Sequence, residues 1–305
     1  MPTPTLAHVA DRLNELCDRQ PFQTGWYFKD LTSGEAAHRR GHVVVPSAST
    51  RKIAIMMAAL RAVLAGALSL EQQVTIQAKY QNNNSGCFQH LRPGVWLTLY
   101  DLLVMMIVVS DNTCTGTVAD LVGLDQINEF CRSIGMVGTT HRQGIPSAGD
   151  VQAGGPVDLG RVNVTTPADV GLLLDLIQQG MESTGAAARL GCTPELCRLA
   201  VDILSWQLLN TRLPALLPEE TKVAHKTGTA NRNFHDAGIV FRGDRPLFVL
   251  TAYTDGVPRE LSDGAPGRAA ASTHIARLCR NCWDALTARE AGVPGARSEP
   301  SRQIP

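Results

Sequence analysis

Apolar residues recur at helical spacing at the start of the chain and predict an amphipathic helix over residues 5–19. The stretch QTGWYFKDLTSGE that follows is rich in aromatic residues and ends in a turn-like TSGE, which is typical of a strand entering a hairpin. From about Ser49 to Ala65 almost every position is apolar, which predicts a helix that is buried nearly all round. The chain therefore opens with a helix, a strand and a second, buried helix.

Local start and stop signals divide the middle of the chain into further helices. Thr98 followed by Asp101 is a capping-box pattern ahead of the apolar run LLVMMIVV. Asp125 is interpreted as the cap of a helix that ends near Gly135. Two more starts combine a threonine cap, a proline and an acid in the first turn, namely Thr166-Pro167-Asp169 and Thr193-Pro194-Glu195.

After residue 222 the pattern returns to strands, in TKVAHKTGT, HDAGIVFRG and PLFVLTAYT, and a last helix is predicted over about 269–289. Strands at both ends of the chain with helices between them predict an α/β (α+β) fold. Its mostly antiparallel sheet is covered by the terminal helices. We expect one catalytic domain over 1–290, with an α/β lobe from about 1–48 and 215–290 and a helical lobe over about 49–214. Residues 291–305 are rich in Pro, Gly and Arg and are expected to be disordered.

Composition excludes several classes of function. The chain has 305 residues, with 28 basic and 28 acidic side chains and no net charge, so neither a nucleic-acid groove nor an anionic membrane surface is predicted. No apolar run approaches the roughly 18 residues of a membrane span. The N-terminus lacks the basic start and apolar core of a secretory signal, so we expect a cytoplasmic protein, or a periplasmic or secreted one if a leader has been removed.

The eight cysteines are irregularly spaced, which predicts reduced thiols rather than a disulfide framework. Cys279 and Cys282 form a C-x-x-C inside the predicted last helix and are interpreted as packing residues. The histidines show no metal-ligand spacing, so neither a metal nor a cofactor is predicted. His225 and His235 flank a predicted strand, where a packed or rim position is favoured over a direct role.

Three short motifs carry the candidate chemistry. Ser49 and Lys52 form an S-x-x-K, and residues three apart on a helix share a face, so the amine can reach the hydroxyl. Burial and neighbouring positive charge would lower the pKa of Lys52 and make it a competent base. The others are Ser110-Asp111-Asn112, after a buried helix, and Lys226-Thr227-Gly228-Thr229, in a predicted strand. Each motif alone is weak, since it also fits a cap, a turn or an edge strand, but the three in this order are specific.

With these motifs the chain resembles the class A β-lactamase family of penicillin-recognising serine enzymes. The resemblance runs from about residue 5 to residue 288 and includes LRPGVWLTLYDLLVMMIVVSDNT, VTTPADVGLLLDLI and LPEETKVAHKTGT. It implies a β-lactamase/transpeptidase-like fold with the active site between the sheet and the helical lobe. It implies Ser49 as nucleophile, with Lys52 and Ser110 in proton transfer. Lys226, Thr227, Gly228 and Asn112 would contact the substrate, and the backbone N–H groups of Ser49 and Thr229 would form the oxyanion hole.

The chain departs from the family pattern in one respect. Class A enzymes carry an omega-loop glutamate that activates the deacylating water. The matching stretch here, HRQGIPSAGDVQAGGPVDLGRVNVTTP, contains no glutamate. Its only acids are Asp150 and Asp158, for which a role in holding turns is favoured. We therefore expect deacylation to be slow.

The leading hypothesis is a serine hydrolase, expected to be a monomer, that acts through an acyl-enzyme on a β-lactam or a related amide. One alternative is an amidase or esterase of the same fold that acts on another small metabolite. A second is a D-Ala-D-Ala carboxypeptidase. A third belongs to a different class, namely a penicillin-binding sensor that is acylated or occupied without turnover. The sequence contains no G-x-S-x-G, H-E-x-x-H or Walker loop that would favour other chemistry.

Overall fold

The computed structural model describes residues 5–145 and 157–291. Five strands form one antiparallel sheet in the order β2-β1-β9-β8-β7. β1 and β9 pair from Gln23 opposite Asp255 to Asp30 opposite Phe248, so the first strand of the chain lies beside the last strand in the middle of the sheet. The strands are β1 (Gln23–Asp30), β2 (Ala36–Arg39), β7 (Val223–Ala230), β8 (Asn233–Arg242) and β9 (Arg245–Asp255).

Two short pairings lie outside this sheet. β3 (Val45–Pro46) pairs with β6 (Val164–Thr165), which fastens the approach to Ser49 to the segment that follows residue 157. β4 (Gln73–Thr75) pairs with β5 (Trp96–Thr98). Strands of two or three residues are too short to show a sequence pattern of their own. The β3–β6 pair lies next to the site described below.

The helices account for most of the remaining described residues. They are α1 (Leu6–Asp18), α2 (Lys52–Leu64), α3 (Leu99–Val108), α4 (Asn112–Val122), α5 (Leu124–Ile134), α6 (Pro167–Gly180), α7 (Thr184–Arg189), α8 (Pro194–Ser205) and α9 (Gly267–Ala291). The capping box of Thr98 with Asp101 is present in full, and Thr166 and Thr193 cap α6 and α8 as predicted. No described helix is long and apolar enough to cross a membrane.

Two predicted helix starts are wrong. α5 begins after Gly123, whose φ of 86° breaks the chain between α4 and α5, so Asp125 lies in the first turn and is not the cap. Its carboxylate still favours that end of the helix dipole. The buried helix begins at Lys52, because Ala48–Arg51 form a 3₁₀ turn that carries Ser49.

The sheet separates two layers of helices. α1 and α9 pack on one face through Leu13, Ile275 and Cys279, with Phe28 and Phe248 from the strands. On the other face, α2, α3 and α6 belong to a larger apolar core that also takes in strand residues of β8 and β9. This arrangement confirms the predicted fold class. The single domain over 1–290 stays a prediction, and residues 292–305 of the expected disordered tail lie outside the described residues.

The eight thiols are all free, and every one of them except that of Cys87 is buried. Cys279 and Cys282 lie in the core between α9 and the sheet, as the packing interpretation predicted. Within 5–145 and 157–291, no group of three or more His, Cys, Asp or Glu side chains is placed to hold a metal ion.

Candidate active site

Ser49 lies half-buried in a tight turn that is held from three sides. Ala48 has a φ of 45°, a conformation that costs a non-glycine residue about 1–3 kcal/mol and persists only where its surroundings impose it. The Ser47 N–H donates to the Asn163 carbonyl at 2.9 Å. Thr50 Oγ1 donates to the Ser47 carbonyl at 2.6 Å and accepts from the Tyr253 hydroxyl at 2.8 Å. These contacts fix the position of the Ser49 backbone.

Lys52 follows this turn as the first residue of α2 and is 1% exposed. Its Nζ lies 3.1 Å from Ser110 Oγ, 2.9 Å from the Ser110 carbonyl and 2.8 Å from Asn112 Oδ1. The first and second sequence motifs therefore meet at this amine. A neutral amine has a lone pair and two N–H donors, so it can donate to the carbonyl and the amide oxygen and accept a proton from Ser110 Oγ.

The charge state of Lys52 is set by its surroundings. Burial lowers the pKa of the Lys52 amine well below its ordinary value, and the positive charges of Lys226 and Arg51 lower it further. Asp111 and Cys114 act in the opposite direction and do not restore it. A lysine in this setting is neutral at a much lower pH than a free one and can accept a proton from a hydroxyl.

Ser110 is held in an uncommon backbone conformation, with a φ of 56°. Its carbonyl accepts from Lys52 and also from Ser85 Oγ at 2.8 Å. Asp111 is structural: its carboxylate caps α4 by accepting from the Cys114 N–H at 2.9 Å and accepts from the Phe88 N–H at 2.9 Å. The loop over residues 85–88 thus holds the second motif in place.

Lys226 is fully buried in β7, where its Nζ donates to the Thr227 carbonyl at 3.1 Å. Burial lowers the pKa of the Lys226 amine to about 7, with Asp236 raising it and Arg212 lowering it. The amine is therefore divided between its charged and neutral forms near neutrality. Its positive charge also lowers the pKa of the Lys52 amine.

Gly228 lets β7 run directly against the turn that carries Ser49. A Cβ placed on Gly228 would lie 3.1 Å from Thr50 Cγ2, 3.2 Å from Ala48 Cβ and 3.2 Å from the Thr50 nitrogen. Thr227 is buried, whereas Thr229, two residues further along the strand, is exposed. The sequence pattern thus supplies a glycine where the strand lies close to the turn.

The motifs did not reveal Arg212 as part of this site. Arg212 is 6% exposed, and its guanidinium donates to the Gly228 carbonyl at 2.7 Å, to the His235 carbonyl, and to Thr229 Oγ1 at 2.6 Å. Arg212 lies in a loop without periodicity, so no pattern in the sequence marked it. It fixes the position of the strand that carries the third motif and adds a positive charge beside it.

The two histidines near this strand are buried and packed, as the sequence interpretation favoured. His225 Nδ1 lies 2.9 Å from Asp236 Oδ1, and its Nε2 lies 3.0 Å from Asn210 Oδ1. His235 Nε2 lies 3.0 Å from the Pro46 carbonyl, with its ring against that of Tyr253. His225 therefore helps to hold β7 in place, and His235 links β8 to the segment that precedes Ser49.

Of the two acids in the sequence segment without glutamate, the structure describes only Asp158. Asp158 is exposed, and its carboxylate accepts from the Gly160 N–H at 2.8 Å, which is the turn-holding role that was favoured. Asp150 lies outside the described residues.

The comparison with known protein families covers nearly the whole chain. Residues 8–286 match the family described as the beta-lactamase enzyme family. The chain belongs to this family. Together with the fold, membership supports a serine hydrolase of the β-lactamase type that acts on small molecules.

Two solved structures and one curated protein are similar to this chain along most of its length. The structure of PBP-A is 26% identical with a TM-score of 0.78, covering 93% of this chain and 97% of PBP-A. A β-lactamase from Sphaerobacter thermophilus DSM 20745 is 26% identical with a TM-score of 0.77, covering 96% of this chain and 99% of that enzyme. The β-lactamase regulatory protein BlaB of Streptomyces cacaoi is 23% identical over 287 residues, which is 83% of this chain and 90% of BlaB.

Proposed function

We propose that the protein is a serine hydrolase that reacts with β-lactams or related amides through an acyl-enzyme on Ser49. The observation that carries the proposal is that the buried Lys52 amine contacts Ser110 and Asn112, while Gly228 of the third motif packs against the nucleophile turn, Ala48–Arg51. A mutant of PBP-A has been solved as an acyl-enzyme complex with penicillin G, and PBP-A is 26% identical to this chain, which supports the same covalent step here.

In the acylation step, neutral Lys52 accepts the proton of the Ser49 hydroxyl as Oγ attacks the carbonyl carbon of the substrate. The oxyanion that forms is bound by the backbone N–H groups of Ser49 and Thr229. The C–N bond then breaks, and the leaving nitrogen takes a proton from Ser110 Oγ. Lys52 returns a proton to Ser110 across their 3.1 Å contact, so the amine ends neutral.

Substrate recognition falls to groups on both sides of the turn. Protonated Lys226 and the Thr227 hydroxyl would bind a substrate carboxylate. Asn112, whose Oδ1 is held by Lys52 at 2.8 Å, would present its amide N–H to a substrate carbonyl. Gly228 lets β7 lie directly against the turn that carries Ser49, so that Thr227 would be presented to the substrate beside the nucleophile.

Deacylation is proposed to be slow. It requires a water that is positioned and deprotonated at the ester, and in the described residues the acids nearest the motifs, Asp111 and Asp236, are committed to backbone and histidine contacts. If Asp150 serves instead, a carboxylate one methylene shorter than glutamate misplaces the base by about 1 Å, which costs on the order of 10²-fold.

Covalent labelling tests the nucleophile. A fluorescent penicillin should label the wild-type protein, and Ser49→Ala should abolish the label, whereas Ser33→Ala, in the exposed turn after β1, should leave it unchanged. Lys52→Ala should slow labelling by about 10²–10⁴-fold. Intact-mass spectra should then show an adduct that persists for minutes. Full labelling of Ser49→Ala would contradict the assignment, and rapid hydrolysis without an adduct would contradict slow deacylation.

A second function is favoured by one comparison. BlaB, which is similar along most of its length, is described as a β-lactamase regulatory protein. Penicillin binding without turnover would accord with the expected slow deacylation. An adduct that is stable for hours, with no hydrolysis of a chromogenic cephalosporin or of simple esters, would favour this function over the hydrolase.

A further inference from the structure

Arg51, the residue between Thr50 and Lys52, is a buried cation that the acyl-transfer mechanism does not use. It is 6% exposed, although it carries a full positive charge, which is costly to remove from water. Its NH1 donates to the Gln143 carbonyl at 2.8 Å and its NH2 to the Gly144 carbonyl, and NH1 lies 3.5 Å from His141 Nδ1. No carboxylate in residues 5–145 and 157–291 lies within ion-pair distance of Arg51.

These contacts hold the chain segment 141–144 against the nucleophile turn. Asn163 holds the same segment from the other side, since its Oδ1 accepts from the Arg142 N–H at 2.7 Å and from the Gln143 N–H at 3.0 Å. The Asn163 carbonyl in turn accepts from the Ser47 N–H at 2.9 Å. The segment that leads to residue 145 is thus tied to Ser47 through Asn163 and to Lys52 through its neighbour Arg51.

The positive charge of Arg51 is retained near neutrality. Burial lowers the pKa of Arg51 only to about 10, so the guanidinium stays protonated. His141 does not add a second charge, because burial and the adjacent Arg51 lower the pKa of its imidazole to about 3. The neutral ring can accept a hydrogen bond at Nδ1 instead. Arg51 therefore presents one fixed positive charge close to the site.

Lys52 is the group on which this charge acts. The charged and titratable groups that face it are Lys226 from β7, Arg51 from the turn, and Asp111 and Cys114 at the start of α4. A positive charge that is held in a desolvated position favours the neutral form of a neighbouring amine. Replacing Arg51 by an apolar residue would remove that influence and release the 141–144 segment at the same time.

We propose that Arg51 is a positioning residue of this site, which anchors residues 141–144 to the nucleophile turn and keeps a permanent positive charge beside Lys52. The proposal rests on the proposed function for the role of Lys52 as a base, and it explains how that amine is kept neutral and in position. The pKa of Lys52 and the anchoring of residues 141–144 can both be measured without any substrate.

The test uses NMR titration of protein labelled with ¹³C-lysine. The chain has five lysines, Lys29, Lys52, Lys79, Lys222 and Lys226, so each resonance can be assigned with single Lys→Arg variants. In Arg51→Met and in the milder Arg51→Gln, the titration midpoint of Lys52 should rise by on the order of one pH unit. Arg61→Met removes a charge from the far end of α2 and should leave the midpoint unchanged.

Hydrogen exchange of the same proteins tests the anchoring. Amides of residues 142–145 should exchange at least about tenfold faster in both Arg51 variants and at the wild-type rate in Arg61→Met. A Lys52 midpoint in a folded Arg51 variant equal to that of wild type would overturn the electrostatic part, and unchanged exchange would overturn the anchoring part. If neither variant folds, a wild-type midpoint at the ordinary lysine value of about 10.4 overturns the proposal. If penicillin fails to label Ser49, that result contradicts the proposed function and leaves these measurements valid.

Discussion

The Lys226 amine should set the alkaline limit of acylation by penicillins. Burial lowers its pKa to about 7, with Asp236 opposing and Arg212 reinforcing the shift. For a basic group a lowered pKa means that the charge is lost at lower pH, and only the charged form attracts a substrate carboxylate. The protonated fraction falls from about one half at pH 7 to about one hundredth at pH 9, so the second-order rate constant of acylation should fall about 50-fold over this interval.

Stopped-flow or gel-based labelling with a fluorescent penicillin measures this constant across pH. Lys226→Arg should abolish the fall of the rate constant up to pH 9, because a guanidinium keeps its charge. Its rate constant should be lower than that of wild type at pH 7, because the larger group must fit a fully buried position. Lys222→Arg is the matched control, since Lys222 lies just before β7 and is paired with Asp202 at 3.8 Å. A constant that is flat from pH 7 to pH 9 in wild type, or that falls equally in Lys226→Arg, would refute the reasoning.

Three further predictions concern the site and its support. Gly228→Ala should slow labelling at least about tenfold, because the added Cβ meets Thr50 at 3.1 Å and displaces the nucleophile turn, and labelling at the wild-type rate would contradict this. Burial lowers the pKa of His141 and His235 to about 3 and that of His274 to about 4. In the unfolded chain these histidines have the ordinary pKa of about 6.5, so below that pH the unfolded chain binds more protons than the folded one. The free energy of unfolding should therefore fall by about 2 kcal/mol for each histidine between pH 7 and pH 5. Equal urea midpoints at the two pH values would exclude this loss of stability. Thiol titration should find eight reactive groups in denaturant and one fast group, Cys87, in the native protein, whereas a denatured count near zero would indicate disulfides.

The elements that could be predicted from sequence are those whose signals are local. Thr98 and Asp101 are three residues apart and satisfy each other's backbone, so their pattern predicts a helix start whatever surrounds it. β2 and β3 carry no such signal, because Ala36–Arg39 and Val45–Pro46 become strands only through their partners. The 3₁₀ turn at Ser49 is likewise imposed from outside, by contacts to Asn163 and Tyr253.

The site divides in the same way. The motif residues were found because their order along the chain is distinctive, and the structure brings Lys52, Ser110 and Asn112 within hydrogen-bond distance. Arg212 and Arg51 were missed as members of the site because most of their described partners are backbone carbonyls. An arginine that binds carbonyls leaves no complementary acid in the sequence, and its importance appears only when its burial is known.

The balance of buried charge in the site has a consequence for its ligand. Lys226, Arg212 and Arg51 are all nearly inaccessible to water, and the carboxylates of Asp111 and Asp236 already accept from backbone N–H groups. Such an excess of desolvated positive charge costs stability in the free protein, since each cation has lost its hydration without a full counter-charge. An anionic ligand restores that balance, and it does so most fully where its carboxylate meets β7 while the oxyanion forms at the turn. We therefore expect the site to favour a molecule that carries one negative charge before reaction and gains a second during it, as a penicillin would in the proposed attack by Ser49.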